Sequence, residues 1–226
     1  MFANGKMKAL TLSYDDGVEQ DRRLVEILNR CGIKATFNIN SGIQTGANSF
    51  QKGTVLIKRM NIAGLPDIYQ GHEIAVHSLT HPHLENLDDD TIRNELEQDR
   101  INLERIFGQK VCGMAYPFGT FNERVIAIAK ACGIRYSRGV KSTHEFGIPQ
   151  ELLEFQPTCH HKDPQLMELA EKFIKSKPAA PELFYLWGHS YEFDVDNNWT
   201  VIEDFCKLIA HRDDIAYCTN KEAFFG

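Results

Sequence analysis

The chain has 226 residues, of which 42% are hydrophobic and 25% are charged, and its net charge is −6. These values are typical of a globular protein with a sizeable core, and the length suits a single α/β domain over residues 1–226. The mild negative charge and the lack of a basic block give no reason to expect a nucleic-acid or anionic-membrane partner. Composition does not determine the oligomeric state.

The N-terminus lacks the apolar segment of about 7–15 residues that is typical of a secretory signal. No run approaches the roughly 18 apolar residues of a membrane span. The sequence therefore predicts a cytoplasmic protein, unless a leader was removed before residue 1. Six cysteines occur without a Cys-x-x-Cys pair and are expected to be reduced core thiols. We single out Cys159, because His160 and His161 follow it.

Strand and helix patterns alternate along the whole chain. The predicted elements are, in chain order, a strand at 8–14, a helix at 18–31, a strand at 34–40, a loop at 41–49, a short helix at 54–60, a strand at 73–77, a helix at 89–107, a strand at 111–116, a helix at 122–132, a strand at 135–140, a loop at 141–153, a strand at 154–159, a helix at 164–175, a strand at 183–188, a helix at 199–211 and a strand at 215–218. Some seven strand-then-helix units predict one α/β domain with a mainly parallel sheet, either barrel-like or open.

Polar motifs follow four of these strands at the point where each strand ends. They are Asp15-Asp16, the pair His77 and His81, Pro117-Phe118 and Gly188-His189. In α/β barrels the loops after the strands converge on one face, and active sites lie there. The four motifs therefore predict a single shared site.

The doubled aspartate and the two histidines indicate a metal centre. Adjacent carboxylates raise each other's pKa unless a cation compensates them. Because neighbouring side chains on a strand diverge, one aspartate is expected to bind the ion and the other to stand beside the water. Pro82 disfavours a helix at His81, so a strand-to-loop turn is expected to carry both imidazoles. One carboxylate and two imidazoles leave a coordination position open for water, which predicts a metal-dependent hydrolase.

The same segments resemble the motifs of the polysaccharide deacetylase family (NodB homology, carbohydrate esterase family 4). Ser13-Tyr14-Asp15-Asp16-Gly17 resembles the family's Thr-Phe-Asp-Asp-Gly, and His77-Ser78-Leu79-Thr80-His81 matches His-Ser/Thr-x-x-His in full. Ala115-Tyr116-Pro117-Phe118-Gly119 resembles Arg-x-Pro-Tyr/Phe-Gly, and Leu186-Trp187-Gly188-His189 resembles Leu-x-x-His. The resemblance runs through nearly the whole chain and implies a distorted (β/α)7-type barrel of the NodB kind.

The resemblance also implies a reaction, the removal of an N-acetyl group from an amino sugar or glycan. The implied metal ligands are Asp16, His77 and His81, and the implied ion is divalent, with Zn²⁺ as the first choice and Co, Ni or Mn as alternatives. Asp15 is then the general base that takes a proton from water. The backbone N–H of Phe118 helps to hold the oxyanion, and His189 protonates the leaving amine.

Two departures from the family pattern bear on activity. Ala115 stands where the family usually has an arginine that pairs with the base, and we expect Arg138 on the neighbouring strand end to supply that charge. The family's Asp-Trp motif, which orients the histidine acid, is missing. The segment Cys159–Asp163 stands at the end of the sixth strand instead, and it either orients His189, lines the pocket or forms a solvated turn. Two alternative functions stay open, a small-amide hydrolase of the same fold and a non-catalytic carbohydrate-binding domain.

Overall fold

A curled parallel sheet forms the centre of the computed structural model, which describes residues 1–226. Ten strands are numbered in chain order, of which β3 (Ser49–Lys52) and β4 (Val55–Lys58) form a separate hairpin. The eight strands of the central sheet are β1 (Lys8–Asp15), β2 (Ala35–Ile39), β5 (Glu73–Val76), β6 (Gly113–Ala115), β7 (Tyr136–Arg138), β8 (Cys159–His160), β9 (Glu182–Gly188) and β10 (Ile215–Tyr217). The strand order is β7-β6-β5-β2-β1-β9-β8, and β10 pairs with the first half of β1 on the edge whose second half pairs with β2. This sheet and its helices confirm the distorted barrel of the NodB kind.

Eight helices accompany the sheet. They are α1 (Asp21–Arg30), α2 (Leu65–Ile68), α3 (Asp89–Phe107), α4 (Glu123–Ala131), α5 (Leu166–Lys175), α6 (Glu192–Val195), α7 (Thr200–Ile209) and α8 (Asn220–Phe225). The longest, α3, begins where Asp88 accepts a hydrogen bond from the Thr91 N–H and ends at Gly108, whose φ is 64°. None of the helices combines the length and the hydropathy that crossing a bilayer requires.

The central strand is buried along its whole length. All eight residues of β1 are inaccessible to solvent, and so are all five of β2. Parallel strands covered by helices on both faces read as nearly continuous apolar runs, which explains Ala9-Leu10-Thr11-Leu12. The main core contains 43 buried residues. Because β1 is fixed between β2 and β9, the two aspartates that follow it have little freedom of position.

The short helix predicted at 54–60 is wrong. The segment belongs to an antiparallel hairpin of β3 (Ser49–Lys52) and β4 (Val55–Lys58), which turns at Gly53 with a φ of 58°. Its buried residue Ile57 packs with Val18 and Tyr191 in a small separate cluster. Tertiary contact of this kind overrides helix propensity in a segment too short to show a period.

The strand predicted at 154–159 is only partly correct. Its first half pairs with the edge strand β7 through Phe155, and its second half becomes β8 beside β9. The segment therefore crosses from one sheet edge to the other and closes the barrel irregularly. The sequence analysis also missed α8, which starts with a capping box formed by Thr219 and Glu222.

Candidate active site

The two aspartates after β1 diverge, and each meets its own arginine. Asp15 binds Arg138, whose Nη2 lies 2.7 and 2.5 Å from the two carboxylate oxygens. Asn38 donates a further hydrogen bond of 2.7 Å to Asp15 Oδ1. Asp16 turns away with a φ of 85°, and its Oδ1 lies 3.0 Å from Arg59 Nη2. The doubled acid is therefore held by two cations from different parts of the chain.

Both carboxylates are ionised despite their burial. Burial by itself raises the pKa of Asp15, but the Arg138 guanidinium and neighbouring imidazoles outweigh it and lower the pKa to about 2. For Asp16, burial is likewise outweighed, chiefly by Arg59, and the pKa is lowered. The sequence analysis missed Arg59, because this residue follows the hairpin that was predicted as a helix.

The histidine pair lies on a loop after β5. The Nε2 atoms of His77 and His81 are 3.1 Å apart. The loop is fixed from α3, where Asp99 accepts hydrogen bonds from the backbone N–H of His77 and of Ser41, at 3.2 and 2.7 Å. Burial lowers the pKa of both imidazoles, that of His81 to about 4, so both are neutral near pH 7 and able to bind a cation.

The donor set fits a divalent ion. One ligand atom each of Asp16, His77 and His81 can be chosen so that all three lie within 4.8 Å of one another. The edge of a zinc tetrahedron with bonds of about 2.0–2.1 Å is roughly 3.3 Å. His77 Nδ1 lies 2.8 Å from the Ala115 carbonyl and must donate to it, which leaves the Nε2 lone pair facing the cluster. Two neutral imidazoles beside a carboxylate are the ligand types that zinc prefers.

Arg138 reaches the site from the neighbouring strand. It pairs in register with Ala115, the residue that stands where the family usually has its arginine. Its side chain is fully buried, with Cζ 4.4 Å from the centroid of the Trp187 ring. The positive charge that Ala115 on β6 does not provide is therefore supplied by Arg138 on β7, at the same level of the barrel.

His189 lies on the opposite side of Asp15 from the sheet edge that carries Arg138. Its Nε2 is 3.9 Å from Asp15 Oδ2, and its Nδ1 is 3.3 Å from Glu192 Oε2. Burial lowers the pKa of this imidazole, but Glu192 and the two aspartates outweigh that effect and raise it above the usual value. The rise in pKa increases the fraction of the protonated form, which can donate a proton.

Glu192 is a second residue of the site that the sequence analysis missed. It is the first residue of α6, and its only sequence signal is its position three residues after His189. The segment Cys159–Asp163 makes its contacts with Glu192 and not with a nitrogen atom of His189. His160 and His161 face Glu192, whereas Cys159 is buried and burial raises the pKa of its thiol to about 12.

A cavity of about 840 Å³ opens above these groups. Its lining includes the predicted oxyanion donor Phe118, along with Phe50 of the β3–β4 hairpin. Four site residues have a positive φ although they are not glycine: Asp16, Ser78, His81 and Phe118. They are half of the eight such residues in the chain. Backbone of this kind costs about 1–3 kcal/mol and concentrates at functional sites.

A curled parallel barrel with one carboxylate and two imidazoles at the carboxyl ends of its strands defines the NodB-like class of α/β folds. The sequence profile for polysaccharide deacetylase matches residues 3–137. The chain belongs to the polysaccharide deacetylase family.

Comparison with known proteins gives distant relatives. A 30.6 kDa protein from the fumA 3′ region of Geobacillus stearothermophilus, itself uncharacterised, is 28% identical over 133 residues, which are 57% of this chain and 44% of that protein. The chain spans less than half the length of the curated relatives that it matches.

Solved structures share the fold. A candidate polysaccharide deacetylase from Mycobacterium smegmatis has a TM-score of 0.67 at 17% identity, with coverage of 97% of this chain and 89% of that chain. BA3943 from Bacillus anthracis, described as a CE4 family pseudoenzyme, has a TM-score of 0.58 at 22% identity, with coverage of 97% and 67%. Because this fold occurs in a pseudoenzyme as well, activity has to be argued from the residues of the site.

Proposed function

We propose that this protein is a metal-dependent hydrolase that removes an N-acetyl group from an amino sugar or a short glycan. The observation that carries the proposal is that two groups of residues, a set of possible metal ligands and a possible proton donor, lie on either side of Asp15. On one side stand Asp16, His77 and His81 with their ligand atoms converging. On the other side stands His189 with its Nε2 3.9 Å from Asp15.

In the proposed mechanism, Asp16, His77 and His81 hold the ion and Asp15 takes the proton from the attacking water. A bound divalent ion supplies Lewis acidity toward the acyl oxygen and the water. Arg138 keeps Asp15 ionised and fixes the direction of its oxygens. Because Arg138 also lowers the pKa of this carboxylate to about 2, Asp15 is a weak base and requires water more acidic than bulk water. The proposal therefore makes activity strictly dependent on metal.

The remaining roles concern charge and proton delivery on the other side of the acyl group. The N–H of Phe118 donates a hydrogen bond to the oxyanion, from a loop whose φ of 58° turns the backbone at the cavity. His189 donates its Nε2 proton to the leaving amine while Glu192 holds Nδ1. An amide needs such a proton donor, because an amine anion is a very poor leaving group.

The test is acetate release by protein reconstituted with Zn²⁺, Co²⁺, Ni²⁺ or Mn²⁺. The substrates are N-acetylglucosamine, its short oligomers, a polymer and a panel of simple N-acyl amines. Release from the sugars supports the proposal, and release from the simple amides alone indicates the small-amide hydrolase. Glycan binding without turnover for every metal indicates a non-catalytic domain. The buried contact between Arg138 and Asp15 favours a catalytic protein over a non-catalytic domain. Arg138 supplies the positive charge that Ala115 cannot provide in the family motif.

A further inference from the structure

Three imidazoles converge on a single carboxylate oxygen beside the site. Glu192 Oε2 lies 3.0 Å from His160 Nε2, 3.3 Å from His161 Nε2 and 3.3 Å from His189 Nδ1. Burial raises the pKa of Glu192, but hydrogen bonds from His160 and His189 outweigh it and hold the pKa well below its usual range. Glu192 is therefore an anion surrounded by nitrogen atoms, and the position of each proton decides what the cluster does.

The backbone fixes the proton on His160. The N–H of Lys162 donates to His160 Nδ1 at 3.1 Å, so Nδ1 acts as the acceptor and the ring proton resides on Nε2. The protonated Nε2 of His160 therefore lies 3.0 Å from Glu192 Oε2. The atoms of His160, His161 and Glu192 have the spacing of metal ligands. A cation would need the Nε2 lone pair of His160, and the Lys162 N–H prevents the tautomer that provides it.

His161 has a different place in the cluster. Its ring is buried and stacks on Phe193 with centroids 4.2 Å apart. Its Nε2 lies 3.3 Å from Glu192 Oε2 but makes no hydrogen bond, and neither does its Nδ1. It also lies directly over Gly188, where a Cβ would collide with the ring. This histidine fills space behind His189, and His160 is left as the donor that fixes Glu192 from the solvent side.

We propose that His160 is a positioning residue, which holds the Glu192 carboxylate so that Oε2 faces His189 Nδ1. This inference rests on the proposed role of His189 as proton donor. The resulting chain of polar contacts runs from the Lys162 N–H through His160, whose Nε2 lies 3.0 Å from Glu192 Oε2, to His189. His160, at the end of β8, and Glu192, at the start of α6, together orient His189, which is the role of the Asp-Trp motif that this sequence lacks. Without His160, the Glu192 carboxylate keeps only the two long contacts of 3.3 Å from the backbone N–H and Nδ1 of His189, and its position is less well fixed.

The kinetic experiment compares His160→Leu with His160→Gln in the metal-loaded protein. Removing an orienting partner of this kind typically costs about 10-fold or more in activity. We therefore expect kcat to fall about 10-fold in His160→Leu, with KM and bound metal unchanged. Gln can place an amide N–H near the position of Nε2 and is expected to restore most of kcat. His211→Leu, an exposed histidine on the surface, is the matched control and keeps full activity.

A second measurement does not depend on turnover. In ¹⁵N-histidine-labelled protein, NMR should show His160 with a bare Nδ1 and a protonated Nε2. The ring resonances of His189 should move in His160→Leu but not in His211→Leu. If the wild-type protein hydrolyses no substrate, the proposed function fails while these spectra still decide the positioning role. An Nδ1–H tautomer at His160 overturns the inference, as do an unchanged kcat in His160→Leu, failure of Gln to rescue, or a second bound Zn²⁺ that His160→Leu removes.

Discussion

The two ends of the barrel bury carboxylates in opposite ways. At the amino ends of the strands, Glu73 accepts hydrogen bonds from three neutral donors: Thr36 Oγ1 at 2.8 Å, Tyr136 OH at 3.0 Å and the Lys221 N–H at 2.8 Å. Burial dominates there and raises the pKa of Glu73. At the carboxyl ends, Asp15 meets a guanidinium instead, and its pKa falls to about 2.

The difference shows that burial does not by itself determine the charge of a carboxylate. Both Glu73 and Asp15 are nearly inaccessible to solvent. Neutral donors satisfy hydrogen bonds without compensating a full charge, so burial raises the pKa of Glu73 at the amino ends of the strands. A buried guanidinium favours the anion, and an anion that is kept ionised at neutral pH is available for proton transfer. The proposed chemistry therefore lies at the end where Arg59 and Arg138 meet the two aspartates.

The largest effect is expected from removing the ligand carboxylate. Asp16→Asn should lose tightly bound metal and reduce kcat/KM by at least about 100-fold, because an amide oxygen carries no charge toward the ion. Metal content after dialysis and acetate release measure the two losses. Glu73→Gln, a matched carboxylate-to-amide change at the other end, should keep both metal and activity. Retention of full metal content by Asp16→Asn would remove this residue from the ligand set.

Separating the buried ion pair should be costly for stability and for turnover. Arg138→Met leaves Asp15 as an unpaired buried charge, which typically costs about 3–5 kcal/mol in the free energy of unfolding. Urea unfolding should show this loss, and kcat should fall about 100-fold. The double variant Arg138→Met with Asp15→Asn should regain most of the stability without regaining activity. A double variant that is as unstable as the single one contradicts the ion-pair explanation.

Asp21 provides a pH-dependent test of the same idea. It is buried against the hydroxyls of Ser190 and Tyr69, and burial raises its pKa to about 7. Because its folded pKa lies above the unfolded value of about 3.9, its contribution to stability is complete below about pH 4 and is lost as pH rises through about 7. The difference corresponds to something on the order of 4 kcal/mol at most.

The measurement is the free energy of unfolding at pH 5.5 and pH 8.5. The wild-type protein should be less stable at the higher pH, and Asp21→Asn should reduce that difference. Equal pH dependence in the two proteins would show that Asp21 is already ionised in the fold at pH 5.5.

The smallest effect is expected at Glu73, at the amino ends of the strands. Glu73→Gln retains one acceptor oxygen but places an NH₂ group against a donor, so the free energy of unfolding should fall by about 1–3 kcal/mol. Near pH 7, kcat and KM should remain at the wild-type values. A change in kcat without loss of stability would connect this end of the barrel to the reaction and break the comparison.

Much of the fold and the grouping of Asp16, His77 and His81 followed from local sequence. The alternation of strands and helices predicted the parallel barrel, and motif position predicted that the aspartates and His77 would share one face with His189. Only the second strand of the hairpin, Val55–Lys58, falls in the segment predicted as a helix, and it is a strand because its buried residue Ile57 packs against distant Tyr191. Between Phe155 and His160 the chain passes from the edge strand β7 to the strand β9. This path depends on which sheet edges are free, and a local sequence pattern does not predict that.

The sequence by itself determined the Asp-Asp doublet, the His-x-x-x-His spacing and their places at strand ends, since such motifs are set by a few consecutive residues. Only the tertiary structure decided which charges meet them. Arg138 is 123 residues from Asp15 along the chain and reaches it because β7 lies in register with β6. Glu192 meets His160 because β8 lies beside β9. Electrostatic partners depend on distance in space, and strand register fixes that distance.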